Sequence, residues 1–102
     1  MSVRWMRTGM INQGKFLEAI AWSKETVAQI EKKHGGLKIH TWVDAVGTVG
    51  TIRWTMDFPD LATFEKLQAP LLADADYHRS VNKAAQAELF ANSFVDHISR
   101  EL

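Results

Sequence analysis

Residues 51–58 alternate between bulky apolar side chains, Ile52, Trp54, Met56 and Phe58, and the polar Arg53, Thr55 and Asp57. A period of two marks a strand that buries one face. Upstream, residues 2–11 read as a first strand, with Val3, Trp5, Gly9 and Ile11 on one parity and Arg4, Met6, Thr8 and Met10 on the other. Neither parity is fully polar, so both faces are expected to be covered. Asn12, Gln13 and Gly14 supply a turn. A helix follows from about Lys15 to His34, with an apolar stripe of Phe16, Leu17, Ile20, Val27, Ala28 and Ile30. Gly35 and Gly36 are expected to end it in a left-handed cap. Strand two runs over Leu37–Val46, and residues 47–50 turn it into strand three as a hairpin. Asp60 is a good N-cap for a short helix that Pro70 breaks. A second helical segment begins near Asp74 and continues to about Phe90, with Tyr77, Val81, Ala84, Ala85 and Leu89 inward. Asn92 and Ser93 close it, and Phe94–Leu102 forms the last strand. Strand, helix, strand, strand, helix, strand is the order of a ferredoxin-like α+β domain with a four-stranded antiparallel sheet.

One sheet and two helices leave one sheet face without a cover. Trp5, Trp42 and Val95 then need partners, and a two-fold homodimer supplies them with one self-complementary patch. The 102 residues are 46% hydrophobic, which is enough for one core and one domain over residues 1–102. Twelve basic and twelve acidic residues balance without forming blocks, which argues against a nucleic-acid surface. Cysteine is absent, so disulfides and thiol chemistry are excluded. The N-terminus carries Arg4 and Arg7 inside its apolar run and lacks a small-residue cleavage site. No apolar run approaches the roughly 18 residues of a membrane span, so the expectation is a cytoplasmic protein with no membrane partner.

Candidate chemistry is sparse. Strand three is central in this fold, and its bulky face must meet the inward stripe of the second helical segment. Trp54 and Met56 are therefore expected as the sheet wall of an apolar pocket, with Tyr77, His78 and Val81 opposite. An indole gives a flat wall and one donor, and a thioether adapts to irregular shapes. His78 lies about 60° from Val81 on the helical wheel, at the edge of the stripe, where an imidazole can act as acid or base near neutral pH. The competing reading is a boundary histidine bonded to backbone. Trp42 shares a parity with His40 and is a further candidate wall. Arg7, mid-strand in an apolar run, must be paired; Asp96 and Asp57 are the candidate partners. Its planar fork suits a ligand carboxylate or carbonyl as well as an interface ion pair. Glu88 falls inside the helical stripe, and Trp22 sits with Glu18, Glu25 and Gln29 on the polar side of helix one, where it implies a contact with another subunit or with an extension of helix two. His34, His40, His78 and His97 show no metal-ligand spacing, and no nucleophile motif or phosphate loop is present.

The stretch from Met6 to Lys15 resembles the first strand and turn of NIPSNAP-like domains, with Arg7-Thr8 followed by Gly14-Lys15 at the helix start. His34-Gly35-Gly36, Trp42 and Gly47 fall where that family has a glycine turn, a strand-two tryptophan and a hairpin glycine. Pro59–Phe64 and Ala73–Tyr77 are similar to its helix-two segment. The resemblance implies a dimeric α+β barrel with helices outside, and ligands between the sheet and its own helices. Gly9 departs from the aromatic common after the Arg-Thr pair, and Ala75 from the helix-two proline. Strand one lacks the inward asparagine of haem-degrading relatives, and no cofactor or metal is assigned. The expected function is a small-molecule-binding barrel, its ligand apolar or aromatic. The alternatives are a cofactor-independent monooxygenase or cyclase acting on an aromatic or polyketide-like compound, and an interaction module with a solid interior.

Overall fold

The computed structural model describes residues 2–47 and 49–102. Thr48, inside the expected hairpin turn, and Met1 lie outside the described residues. The elements are β1 (Val3–Ile11), α1 (Phe16–Lys33), β2 (His40–Val43), β3 (Thr51–Phe58), α2 (Leu61–Leu72), α3 (Ala75–Gln86) and β4 (Phe90–Arg100). They form one antiparallel sheet in the order β2-β3-β1-β4, the ferredoxin-like arrangement read from the pattern.

Register sorts the side chains. Val3 pairs with Phe58, Trp5 with Met56, Arg7 with Trp54 and Gly9 with Ile52. Paired residues share a face, so the bulky face of β3 and the odd-numbered residues of β1 lie together against the helices. Trp5 is buried there with Trp54, Met56 and Phe58, which corrects the expectation that Trp5 needs a partner on the open face. The open face carries His40, Trp42, Arg53, Thr55, Met6, Thr8 and Val95, as the pairings of β2 and β4 show. Trp42 is 54% exposed and Val95 53%.

Several boundaries differ from the pattern reading. The buried line of α1 is Ala19, Ser23, Thr26 and Ile30, while Leu17 is 82% exposed and Phe16 also faces out. Small and hydroxyl-bearing residues face the sheet because bulk comes from the other side: Trp54 fills the space and donates its indole N–H to Ser23 Oγ at 2.7 Å. Neither Gly35 nor Gly36 is left-handed, since the positive-φ glycines are Gly14, Gly47 and Gly50. Gly36 serves close approach instead: a Cβ there would lie 2.9 Å from Leu67 Cδ2. β2 spans four residues where ten were expected.

Helix α2 runs through Pro70 and stops two residues later. The bond Pro70 cannot make belongs to the carbonyl of Lys66, and both residues are exposed, where water can serve that carbonyl. α3 ends at Gln86, short of the expected Phe90. Its stop is a Schellman motif built on Glu88 at φ 54°, with Leu89 N–H bonded to Ala84 O and Glu88 N–H to Ala85 O, each at 3.1 Å. Leu89 is buried against Ala84, the apolar contact that accompanies this cap. Glu88 is thereby exposed in a turn, and the inward position expected for it does not arise. Asn92 and Ser93 lie within β4, at an irregularity opposite Gly9.

Candidate functional site

Helices α1 and α3 run in opposite directions across the inner face of the sheet. Lys33 reaches Asp74 and Asp76 at one end, and Trp22 donates its indole N–H to the carbonyl of Ser80 at 2.9 Å further along. Trp22 thus meets α3, where its place on a polar helix side implied a contact with another subunit or with an extension of helix two. It also meets Trp54 edge-on at 6.2 Å and Phe90 at 5.4 Å between ring centres.

Two spaces flank this contact. A groove of about 660 Å³ opens between α1 and α3, lined by Trp22, Thr26, Ile30, Tyr77, Ser80 and a charged rim. A smaller cavity of about 50 Å³ lies against Trp5, Arg7, Trp54, Val81 and Phe94. Trp22, Thr26 and Tyr77 line both, so these three side chains stand between groove and cavity. The groove has the size of ordinary ligand sites, roughly 300–1,000 Å³, and the cavity is far below it.

Of the residues expected at the pocket, Trp54, Tyr77, Val81 and Arg7 come together around the cavity. Met56 is buried on the same sheet face but lines neither space. His78 is exposed, with Nε2 against the carbonyl oxygen of Leu72 at 2.6 Å, and it too lines neither space. That is the boundary-histidine placement. Trp42 belongs to the open sheet face, on the opposite side from Trp54, with its N–H donated to Thr55 Oγ1 at 2.9 Å. Trp42 therefore cannot wall a space beneath the helices: adjacent side chains along a strand point to opposite faces, and its β3 partner is Arg53 rather than Trp54.

Arg7 is the charged centre of the cavity. Its Nε and Nη2 donate to the two carboxylate oxygens of Asp96 at 2.7 and 2.8 Å, and Nη1 donates to Tyr77 Oη at 2.8 Å. The guanidinium carbon lies 5.3 Å from the Trp5 ring centre and 5.4 Å from that of Phe94, within cation–π range. The Asp96 hydrogen bonds hold the guanidinium pKa above its ordinary value, against the opposing cost of burial. Trp5, Ser23 and Phe94 were not read as site residues. The signal for Trp5 was its shared parity with Arg7; Ser23 and Phe94 carried none that pattern alone expresses.

The groove's far end is tied by Asp74. This side chain, 6% exposed, accepts from His34 Nε2 at 2.8 Å and from Lys33 Nζ at 2.9 Å, and caps α3 through Asp76 N–H at 2.9 Å. The His34 hydrogen bond, then that of Lys33, holds its carboxyl well below the usual carboxylate range. Among the described residues no group of three or more histidine, aspartate or glutamate side chains is placed to hold a metal ion. No helix among them is long and apolar enough to cross a membrane.

The NIPSNAP family model matches residues 5–98. No curated protein matches the chain in sequence. Among solved structures, the chain is similar to a NIPSNAP family protein from Agrobacterium tumefaciens, at 17% identity and a TM-score of 0.78, covering 99% of this chain and 86% of that one. An uncharacterized NIPSNAP domain protein from Burkholderia xenovorans is similar at 16% identity and TM-score 0.78, covering 100% and 95%. An antibiotic biosynthesis monooxygenase shares the fold at 13% identity and TM-score 0.71, covering 98% of each chain.

Proposed function

The chain belongs to the NIPSNAP family, and on that premise we propose that it is a cytoplasmic, homodimeric protein that binds an apolar or aromatic small molecule between its sheet and helices α1 and α3. Family and fold carry no reaction with them, so the proposal rests on the site. The observation that carries it is the meeting of a ligand-sized groove with a smaller, aromatic-lined cavity at Trp22, Thr26 and Tyr77. Trp22, Trp54, Phe90 and Phe94 pack edge-to-face around one another, and Trp22, Trp54 and Phe94 contribute to the wall of the cavity. The monooxygenase or cyclase alternative requires a proton acceptor beside the ligand. The cavity lining contains no histidine and no carboxylate, and of the groove's three carboxylates Asp74 and Asp76 are engaged with His34, Lys33 and Arg79, which leaves Glu25 as the one candidate acceptor there; on this count binding is the reading we favour.

The dimer is part of the proposal. Trp42 and Val95 stand on a sheet face that no element among the described residues covers, and a second copy offers the same face in return.

The test of binding uses the neutral dye N-phenyl-1-naphthylamine, followed by energy transfer from the tryptophans. The wild-type chain is expected to show saturable transfer. Ser80→Trp fills the groove while leaving the Ser80 carbonyl, and thus the Trp22 bond, in place; it is expected to weaken binding about tenfold or more through overpacking of the site. No saturable transfer, or transfer that Ser80→Trp leaves unchanged, would overturn the reading.

A further inference from the structure

Two polar groups of the groove lining are enclosed, Thr26 at 7% exposure and the side chain of Asp74 at 6%. Asp74 is bonded to His34 and Lys33. The Thr26 hydroxyl has no hydrogen-bond partner among the described residues. Among the same residues, no fully enclosed side-chain nitrogen or oxygen lacks a partner. The Thr26 oxygen is therefore reached from open space, although the residue around it is buried. Thr26 lines the groove and the cavity, and the cavity wall is almost wholly apolar. The hydroxyl belongs to the groove.

The other polar side chains of the groove are in contact with water. Glu25, Lys32, Lys33, Asp76, Arg79 and Lys83 are all exposed. Water competes for such groups, and a hydrogen bond gained there is offset by one lost to solvent. A ligand group at Thr26 has left the water. Trp22 and Tyr77, which stand with Thr26 between groove and cavity, carry no charge to meet it. An ionised group is costly to bury in that setting. A neutral oxygen costs far less, and it finds a hydroxyl that both donates and accepts.

From this we infer that the ligand is a neutral ring compound bearing a carbonyl or hydroxyl oxygen, and that Thr26 recognises that oxygen. The inference rests on the binding reading above and deepens it. Trp22 and Tyr77 receive the rings, and Thr26 decides which ring compounds are kept. A ligand oxygen satisfies the buried hydroxyl, whereas a hydrocarbon of the same shape leaves it dry and unpaired.

The experiment displaces N-phenyl-1-naphthylamine from the 102-residue chain with three naphthalenes of similar shape. These are 2-acetylnaphthalene, 2-ethylnaphthalene and 2-naphthoate. The wild type is expected to bind the acetyl compound about tenfold or more tightly than the naphthoate. The second readout is the affinity for the acetyl compound relative to the ethyl one, a ratio in which packing changes common to both cancel. Thr26→Val keeps the shape and removes the hydroxyl, and the ratio is expected to fall about threefold to tenfold. Thr26→Ser is expected to restore it. Thr26→Val is also expected to melt no lower than the wild type, because a hydroxyl unpaired within the protein adds nothing to folding. Naphthoate bound as tightly as the acetyl compound, or a ratio unaltered in Thr26→Val, overturns the inference and leaves the binding reading standing. So does bound dye that none of the three displaces. A melting point lowered by about 4 °C or more overturns it too, since the hydroxyl would then serve a bond inside α1. Failure of the dye itself to bind overturns the inference and the binding reading together.

Discussion

At Ser23 a single hydroxyl sets the position of a large core side chain. Trp54 is buried under α1, and its indole N–H has Ser23 Oγ as partner at 2.7 Å. A buried donor left without a partner costs about 1–3 kcal/mol, more than the net value of the bond. Ser23→Ala is therefore expected to destabilise the chain by about that amount in urea unfolding, with little change in the slope of the transition. A loss near zero would mean that the indole finds another acceptor, and that Ser23 is a packing residue only. Gly9 shows the same economy on β1. A Cβ at Gly9 would stand 2.9 Å from Phe94 Cε1, so the ring of Phe94, arriving from β4, occupies the place a side chain would take.

At the scale of elements, α1 and α3 are held together at their open end by Asp74 and at their closed end by the buried Ala19–Ala84 contact. The Asp74 tie is pH-dependent in a definite direction. Its folded pKa is depressed, with the His34 hydrogen bond the largest cause. Its contribution is therefore complete above the unfolded carboxylate value of about 3.9 and is lost as pH falls through the folded value. Asp57 and Asp76 are shifted the same way, by Arg4 and Arg79 respectively, so the wild-type acid limb has several contributors. Asp74→Asn isolates one of them. The variant is expected to melt below the wild type at neutral pH, with the gap closing at pH values under about 4. A gap that persists undiminished into acid would show that the side chain acts by size alone.

At the scale of the molecule, the uncovered sheet face is the largest unmet demand of the fold. Trp42 and Val95 are each more than half exposed there, beside Met6, Thr8 and Met10. Light scattering of the wild-type chain at micromolar concentration is expected to give the mass of two chains. Trp42→Glu places a charge within that patch, and an unpaired buried charge is too costly for a dimer interface to retain. The variant is expected to run at the mass of one chain with its helical circular dichroism unchanged. A wild-type mass of one chain would remove the homodimer from the proposed function without touching the site beneath the helices, because groove and cavity are lined on the opposite sheet face.

Element order and the face of Trp54 were legible in the sequence, because the period of two along β3 is a local signal that tertiary contacts did not override. Arg7 was legible as a charge needing a carboxylate, with Asp96 and Asp57 as candidates, and the strand register chose Asp96 by pairing Asp57 with Arg4. The end of α3 was not: its cap rests on Glu88, a residue with no glycine-like preference for the left-handed region, held by the Leu89–Ala84 contact and by the Asn12 side chain bonded to its carbonyl at 2.7 Å. The buried line of α1 was not legible either, because Ser23 and Thr26 are polar by composition and become interior through the size of Trp54 above them. The site followed that shift. His78 left the expected pocket and Trp22 entered it, since the rotation of α1 and the early end of α3 are settled by packing across the sheet, where no residue reports on its partner until the chain has closed.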